Sequence, residues 1–334
     1  GSGGSSSGGA TPMCGDAGSG AGAGGINWGT QVPCSDVGKP VTLSVAPFQV
    51  PAGGEVFLCQ VFPNPYGGVN TDILSMHWVM SKGSHHFFLF NMTSLEAAVE
   101  PAQGTLGNCA GAGLEFHPFP FLSQQPDWTV NFPTDSSGAP MGYPLVGQNL
   151  LMINIHYLNT GSTSITANVS IDITPAKPNV VKTHVGTLFL NQTGISVPAS
   201  ATTAAPYEAT KTWNGDGSLA ANYTLFTSWS HMHQWATKFT TTTGGKTIYT
   251  ETNWDSPNIF IHSPNMPEPG TATGTQSLIP MTNTQSITWD CTYTNDTGAT
   301  LTFGDSANKN VMCIYLGQYY PASATAPDII SAVN

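Results

Sequence analysis

Residues 41–62 read VTLSVAPFQVPAGGEVFLCQVF, and this stretch decides the fold class. Two runs rich in β-branched and apolar side chains, 41–50 and 55–62, flank a cluster of turn formers, Pro51 to Gly54. Short runs bounded by Pro and Gly read as strands rather than helices. The pattern recurs in HHFFLFNM (85–92), NLLMINIHYLN (149–159) and SITANVSIDI (164–173). After TPAKPN (174–179), where two prolines would interrupt a ladder, it resumes in VKTHVGTLFLN (181–191), the long run 223–243, SITWDCTYTN (286–295) and VMCIYLGQYY (311–320). Thr, Ser, Asn, Gly and Pro are abundant while Glu, Lys and Arg are scarce, which deprives helices of their usual surface residues. The expected fold is all-β: two tandem antiparallel β-sandwich, jelly-roll-like domains, 36–176 and 177–334, behind a Gly/Ser-rich flexible tether, 1–35.

Composition excludes several functions. The 334 residues carry 8 Lys+Arg and 19 Asp+Glu, a formal net charge of −11. A nucleic-acid partner needs a cationic stripe to displace counterions, so none is expected. All eight basic residues are lysines, and arginine, the side chain best shaped for bidentate carboxylate or phosphate recognition, is absent. No stretch approaches the roughly 18 to 20 apolar residues of a membrane-spanning helix, so no transmembrane segment is expected. Six cysteines (Cys14, Cys34, Cys59, Cys109, Cys291, Cys313) without a CxxC read as three disulfides and an extracytoplasmic location, whether secreted, periplasmic or surface-tethered.

Histidine carries the chemistry. In SWSHMHQW, strand alternation puts His231 and His233 on one face. His85 and His86 would face opposite sides of a regular strand, so joint action requires a bulge or strand end, which Gly83 makes available. His156 ends an apolar run, and Met312 directly precedes Cys313. Taken alone, His156 and Met312 read as core residues and the His85–His86 pair as a chance dipeptide, whereas His231 and His233 already read as two imidazoles side by side.

As an ordered set, HH, HY, HxH, then Met beside Cys, they resemble the copper type II, ascorbate-dependent monooxygenases, the family of peptidylglycine alpha-hydroxylating monooxygenase and dopamine beta-monooxygenase. The resemblance runs from about Val41 to Pro321. It implies one copper on His85, His86 and His156 and a second on His231, His233 and Met312, the two facing each other across a solvent-filled cleft. The second copper would bind oxygen and the first supply an electron, with ascorbate as reductant. It further implies the disulfides Cys59–Cys109 and Cys291–Cys313, leaving Cys14 with Cys34. A thioether suits Cu(I), and imidazole suits copper in either state.

The chain departs from the peptide-amidating members at the substrate. Trp229 stands two residues before His231, where they carry an arginine, and Ile314 and Leu316 replace an asparagine and a tyrosine. Trp229, Ile314 and Leu316 therefore suggest a drier pocket for a small neutral C–H donor rather than a peptide carboxylate. A monomer acting on a small molecule and O2 is expected. Asp290 and Asp305 are candidates to accept an imidazole N–H. His77, His117, His184 and His262 have no counterpart among the ligands. The competing function is an extracellular copper-binding or sequestering protein with the same ligands and no turnover. A zinc hydrolase ranks last, since no carboxylate flanks HxH as a general base.

Overall fold

A computed structural model describes residues 13–14, 32–33, 37–93, 101, 103–109, 118–147, 149–199, 206–215, 219 and 222–333. Among them there are strands and turns and no helix, as a β-sandwich class requires. The tether lies outside the described residues, apart from the short antiparallel pair Met13–Cys14 and Val32–Pro33.

One sheet of eleven strands runs through both halves of the chain. It crosses the TPAKPN segment where Met141–Leu145 pairs in parallel with Thr183–Gln192, Met141 opposite Thr183 and Gly142 opposite His184. Sequence division at 176/177 therefore coincides with no break in hydrogen bonding. A second parallel pairing joins Thr183–Gln192 to the C-terminal strand Ile329–Val333; the ladders that position the site are antiparallel.

Each half adds a five-stranded sheet. In the N-terminal half its centre is Leu150–Leu158, between Glu55–Phe62 and Ser84–Met92. In the C-terminal half its centre is Ala236–Thr243, between Ser286–Tyr293 and Lys246–Glu251. Burial alternates along Ser286–Tyr293, the signature of one face turned inward. Ser84–Met92 and Leu150–Leu158 are instead buried almost throughout, because both of their faces are covered. Phe87 turns to Trp78 of the long sheet, ring centroids 5.3 Å apart. Phe88 turns the other way, toward Phe189 of the C-terminal half at 6.3 Å. The face that carries Phe88 also carries His86, so the fold presses that histidine against the other half.

Two disulfides, Cys59–Cys109 and Cys291–Cys313, tie strands within each half and indicate an oxidising setting. The Cys14–Cys34 pairing lies outside the described residues. No helix among the described residues is long and apolar enough to cross a membrane.

Candidate metal centre

His86 and His156 are cross-strand partners in the ladder of Ser84–Met92 with Leu150–Leu158. The register shifts at that point, Tyr157 facing Ser84, so His85 is the extra residue of a β-bulge. Gly83, at φ +93°, sits where the chain enters it. The bulge turns His85 toward the side that His86 occupies, and their ring centroids are 5.2 Å apart. His231 lies near the end of Asn222–Met232, opposite Ile314. His233 follows the strand in a turn closed by Ala236 N–H donating to the His233 carbonyl at 3.3 Å.

These two groups form one cluster. His85 lies 5.1 Å from both His231 and His233, and His86 lies 4.9 Å from His231. Those separations match the 5.3 Å between His231 and His233 themselves. The solvent-filled cleft implied by the resemblance is closed at this point. Its closure follows from contacts that bind the halves together. Glu55 accepts hydrogen bonds from Ser306 Oγ at 2.7 Å and Ala307 N–H at 2.8 Å. Gln125 Nε2 donates to the Ser256 carbonyl at 2.7 Å, and Trp229 stacks on Phe121, planes 6° apart.

All five histidines are buried, and each has one ring nitrogen without a hydrogen-bond partner: His85 Nε2, His86 Nδ1, His156 Nδ1, His231 Nδ1 and His233 Nε2. An orphaned buried polar group costs about 1 to 3 kcal/mol, so five in one place call for a common ligand. The opposite nitrogens of two rings are fixed. His156 Nε2 donates to Glu55 at 2.7 Å, and His233 Nδ1 donates to the Asn310 carbonyl at 3.2 Å. Each therefore turns a lone pair inward, the usual state of a metal-binding imidazole with a carboxylate or carbonyl behind it. His85 differs. Gln124 Nε2 lies 3.1 Å from its Nδ1 and 3.0 Å from the Trp254 carbonyl, which makes Nδ1 the acceptor and sends the His85 proton to Nε2. That ring offers an inward lone pair only after the proton leaves or the Gln124 amide turns.

Burial, reinforced by neighbouring imidazoles, holds His85, His86 and His231 well below the ordinary histidine range. Burial brings His233 to about 3. His156 is lowered by burial against the opposing pull of Glu55. Burial pushes Glu55 up, but donors from His156, Ser306 and Ala307 outweigh it and hold the carboxyl at about 2. The cluster is thus neutral at pH 7 with an anion behind it, which suits a cation. His85, His86 and His231 offer nitrogens that all lie within 4.8 Å of one another.

No family model matches the chain, and no curated protein matches it in sequence. Among solved structures, one of N-glycanase F (PNGase F) aligns at TM-score 0.30 and 9% identity, over 89% of this chain and 97% of that one. A structure of PNGase F, a glycosylasparaginase from Flavobacterium meningosepticum, gives 0.29 and 9%, over 88% and 98%. The major capsid protein P2 from Bacteriophage PM2 gives 0.27 and 7%, over 84% and 97%. Overlaps at these TM-scores carry no argument about the chemistry of the cluster.

Met312 and Ile314 line a cavity of about 60 Å³ together with His86, His231 and several phenylalanines, Phe57 among them. Trp229 and Leu316 do not line it. Trp229 is buried on Phe121 with Nε1 donating to the Leu122 carbonyl at 3.0 Å, and Leu316 is wholly buried opposite it. Those two positions belong to the packing between halves. On the other side of the cluster His85 borders a wider cavity of about 590 Å³, with Lys82, Trp254 and Asp255 in its walls.

The carboxylate that reaches an imidazole of the cluster is Glu55, where the sequence had suggested Asp290 or Asp305. Asp305 lines the small cavity, and Asp290 lies within the C-terminal ladder opposite Thr210 and Thr240. Only the pairing of Glu55–Phe62 with Leu150–Leu158 brings Glu55 near His156, and no local motif signals that register. Gln124 was missed for the same reason. His77 and His184 pair with surface or half-buried aspartates, and His262 bonds Ser228 inside the C-terminal half. His117 lies outside the described residues.

Proposed function

We propose that this chain is a copper- and ascorbate-dependent monooxygenase, working outside the cytoplasm as a monomer, that hydroxylates a C–H bond of a small neutral substrate with O2. The observation that carries the reading is the set of five buried, neutral imidazoles, each with an unpartnered nitrogen, gathered beside Met312 and an apolar cavity. Copper, when bound, supplies one-electron redox chemistry and activates dioxygen. His231, His233 and Met312 are assigned to the oxygen-binding copper, the thioether favouring Cu(I). His85, His86 and His156 are assigned to the copper that supplies an electron. Glu55 keeps the His156 proton on Nε2, and the Asn310 carbonyl keeps that of His233 on Nδ1. Phe57 and Ile314 exclude water and give a C–H donor an apolar wall. The polar cavity at His85 gives ascorbate a route of approach.

A second reading is an extracellular copper-binding protein without turnover. It is favoured by the small size of the cavity at Met312, about 60 Å³, which leaves little room for substrate until the site opens. Copper per chain after loading and exhaustive dialysis, with oxygen uptake under ascorbate, separates the two. The monooxygenase predicts two coppers and uptake that rises with neutral aromatic or aliphatic substrates and not with a glycine-extended peptide. Met312→Ile should then keep copper on the histidines and lose the oxygen chemistry. Copper held without substrate-dependent uptake supports the binding protein, and no copper, or zinc in its place, overturns both.

A further inference from the structure

Resting on the reading above that this cluster holds copper, but replacing its division of the ligands, we propose that the two histidine groups are one shared centre whose first cation is held by His85, His86 and His231, donors drawn from both halves of the chain. The resemblance divides the ligands by sequence, three from one half and three from the other. The geometry divides them differently. The three rings form a closed triangle of centroid separations, 5.2, 4.9 and 5.1 Å. Each has an unpartnered buried nitrogen, and their ligand atoms fall within 4.8 Å of one another; Nε2 of His85 becomes a ligand when the Gln124 amide turns its unpartnered Oε1 to accept a proton moved to Nδ1.

Metal–imidazole bonds of about 2.0 to 2.1 Å place tetrahedral ligand atoms roughly 3.3 Å apart. The triangle must therefore contract by about 1.5 Å, within reach of small χ1 and χ2 rotations. Two separate sites would instead require the rings of one group to withdraw from those of the other. The ties between halves resist that, since Gln124 reaches from His85 to the Trp254 carbonyl and Glu55 from His156 to Ser306 and Ala307. His156 and His233 flank the triangle with inward lone pairs, ready to complete the shell or to help hold a second cation beside the first. A cation in this position would clamp the halves together.

The test uses the full chain, with Cu(II) and Zn(II) as separate probes titrated against a chromophoric chelator. His86→Ala and His231→Ala come from opposite halves, and each is expected to weaken the tightest equivalent at least about 100-fold. If each variant instead keeps one equivalent at undiminished affinity, the sites are independent and the proposal is overturned. A readout that needs no variant is hydrogen exchange with one equivalent of Zn(II). Protection is expected in both Ser84–Met92 and Asn222–Met232, and protection of only one strand overturns the shared centre. If neither ion binds the unaltered chain, the copper reading itself fails and this inference falls with it, a result distinct from two independent sites.

Discussion

At the scale of single residues, Glu55 controls the cluster from behind. It holds His156 by a 2.7 Å hydrogen bond and accepts from Ser306 and Ala307 of the other half. Glu55→Gln preserves the shape and removes the charge. Metal affinity should fall about 10- to 100-fold, the usual effect of losing a carboxylate behind a ligand histidine, as read by competition titration. Stability at pH 7 should fall by about 2 kcal/mol, since hydrogen bonds to a charged group are the stronger kind. The sign with pH follows from a carboxyl held at about 2 against an ordinary 4.5. Its contribution is complete above about pH 4.5 and lost as pH falls toward 2. The difference in Tm between wild type and variant should therefore shrink across that window; a constant difference would show that the charge is not what matters.

At the scale of elements, the five histidines were legible in the sequence because ligand residue types are rare in a strand-rich, polar chain. Strand period accounts for His231, whereas His233 lies one residue past the strand end and is placed by the turn that follows. His85 and His86 required a bulge, and the glycine that makes it possible stands two residues upstream. Glu55 and Gln124 were not legible, because their roles depend on which strands pair and on the meeting of two halves. Gly83 tests the bulge. A Cβ there would meet Ile165 Cδ1 at 2.7 Å, on a backbone at φ +93°. Gly83→Ala should cost about 1 to 3 kcal/mol and weaken metal binding by moving His85. Gly53→Ala is the control, at φ +62° with nothing within 4 Å: it carries the backbone cost and should leave binding intact. Equal effects of both variants on binding would remove the bulge from the account of the site.

At the scale of the whole molecule, strand content and class were readable from residues 41 onward, whereas the continuity of one sheet through both halves was not. Parallel pairing of Met141–Leu145 with Thr183–Gln192 is a long-range event that no local pattern announces. The same junction is fastened by Asp328, a half-buried residue just before the C-terminal strand. It accepts from Tyr143 OH at 2.6 Å and Phe119 N–H at 2.8 Å in one half, and from Thr187 N–H at 3.0 Å in the other. Burial raises it to about 7 against this pull from its donors, because no cation is paired with it among the described residues. A carboxyl whose folded value lies above its unfolded 3.8 favours the fold most while both states are protonated. That advantage is lost as pH climbs from about 4 to about 7 and stays lost above it. Acid destabilises the chain by other routes, so the comparison must be made within one pH. Asp328→Asn cannot ionise, although it sacrifices one acceptor and should cost about 1 to 3 kcal/mol. Wild type should therefore exceed Asp328→Asn in Tm by more at pH 5 than at pH 8. A gap that widens with pH instead would mean the three donors keep the carboxyl ionised in the fold, and that the junction is held by a charge rather than by a neutral acid.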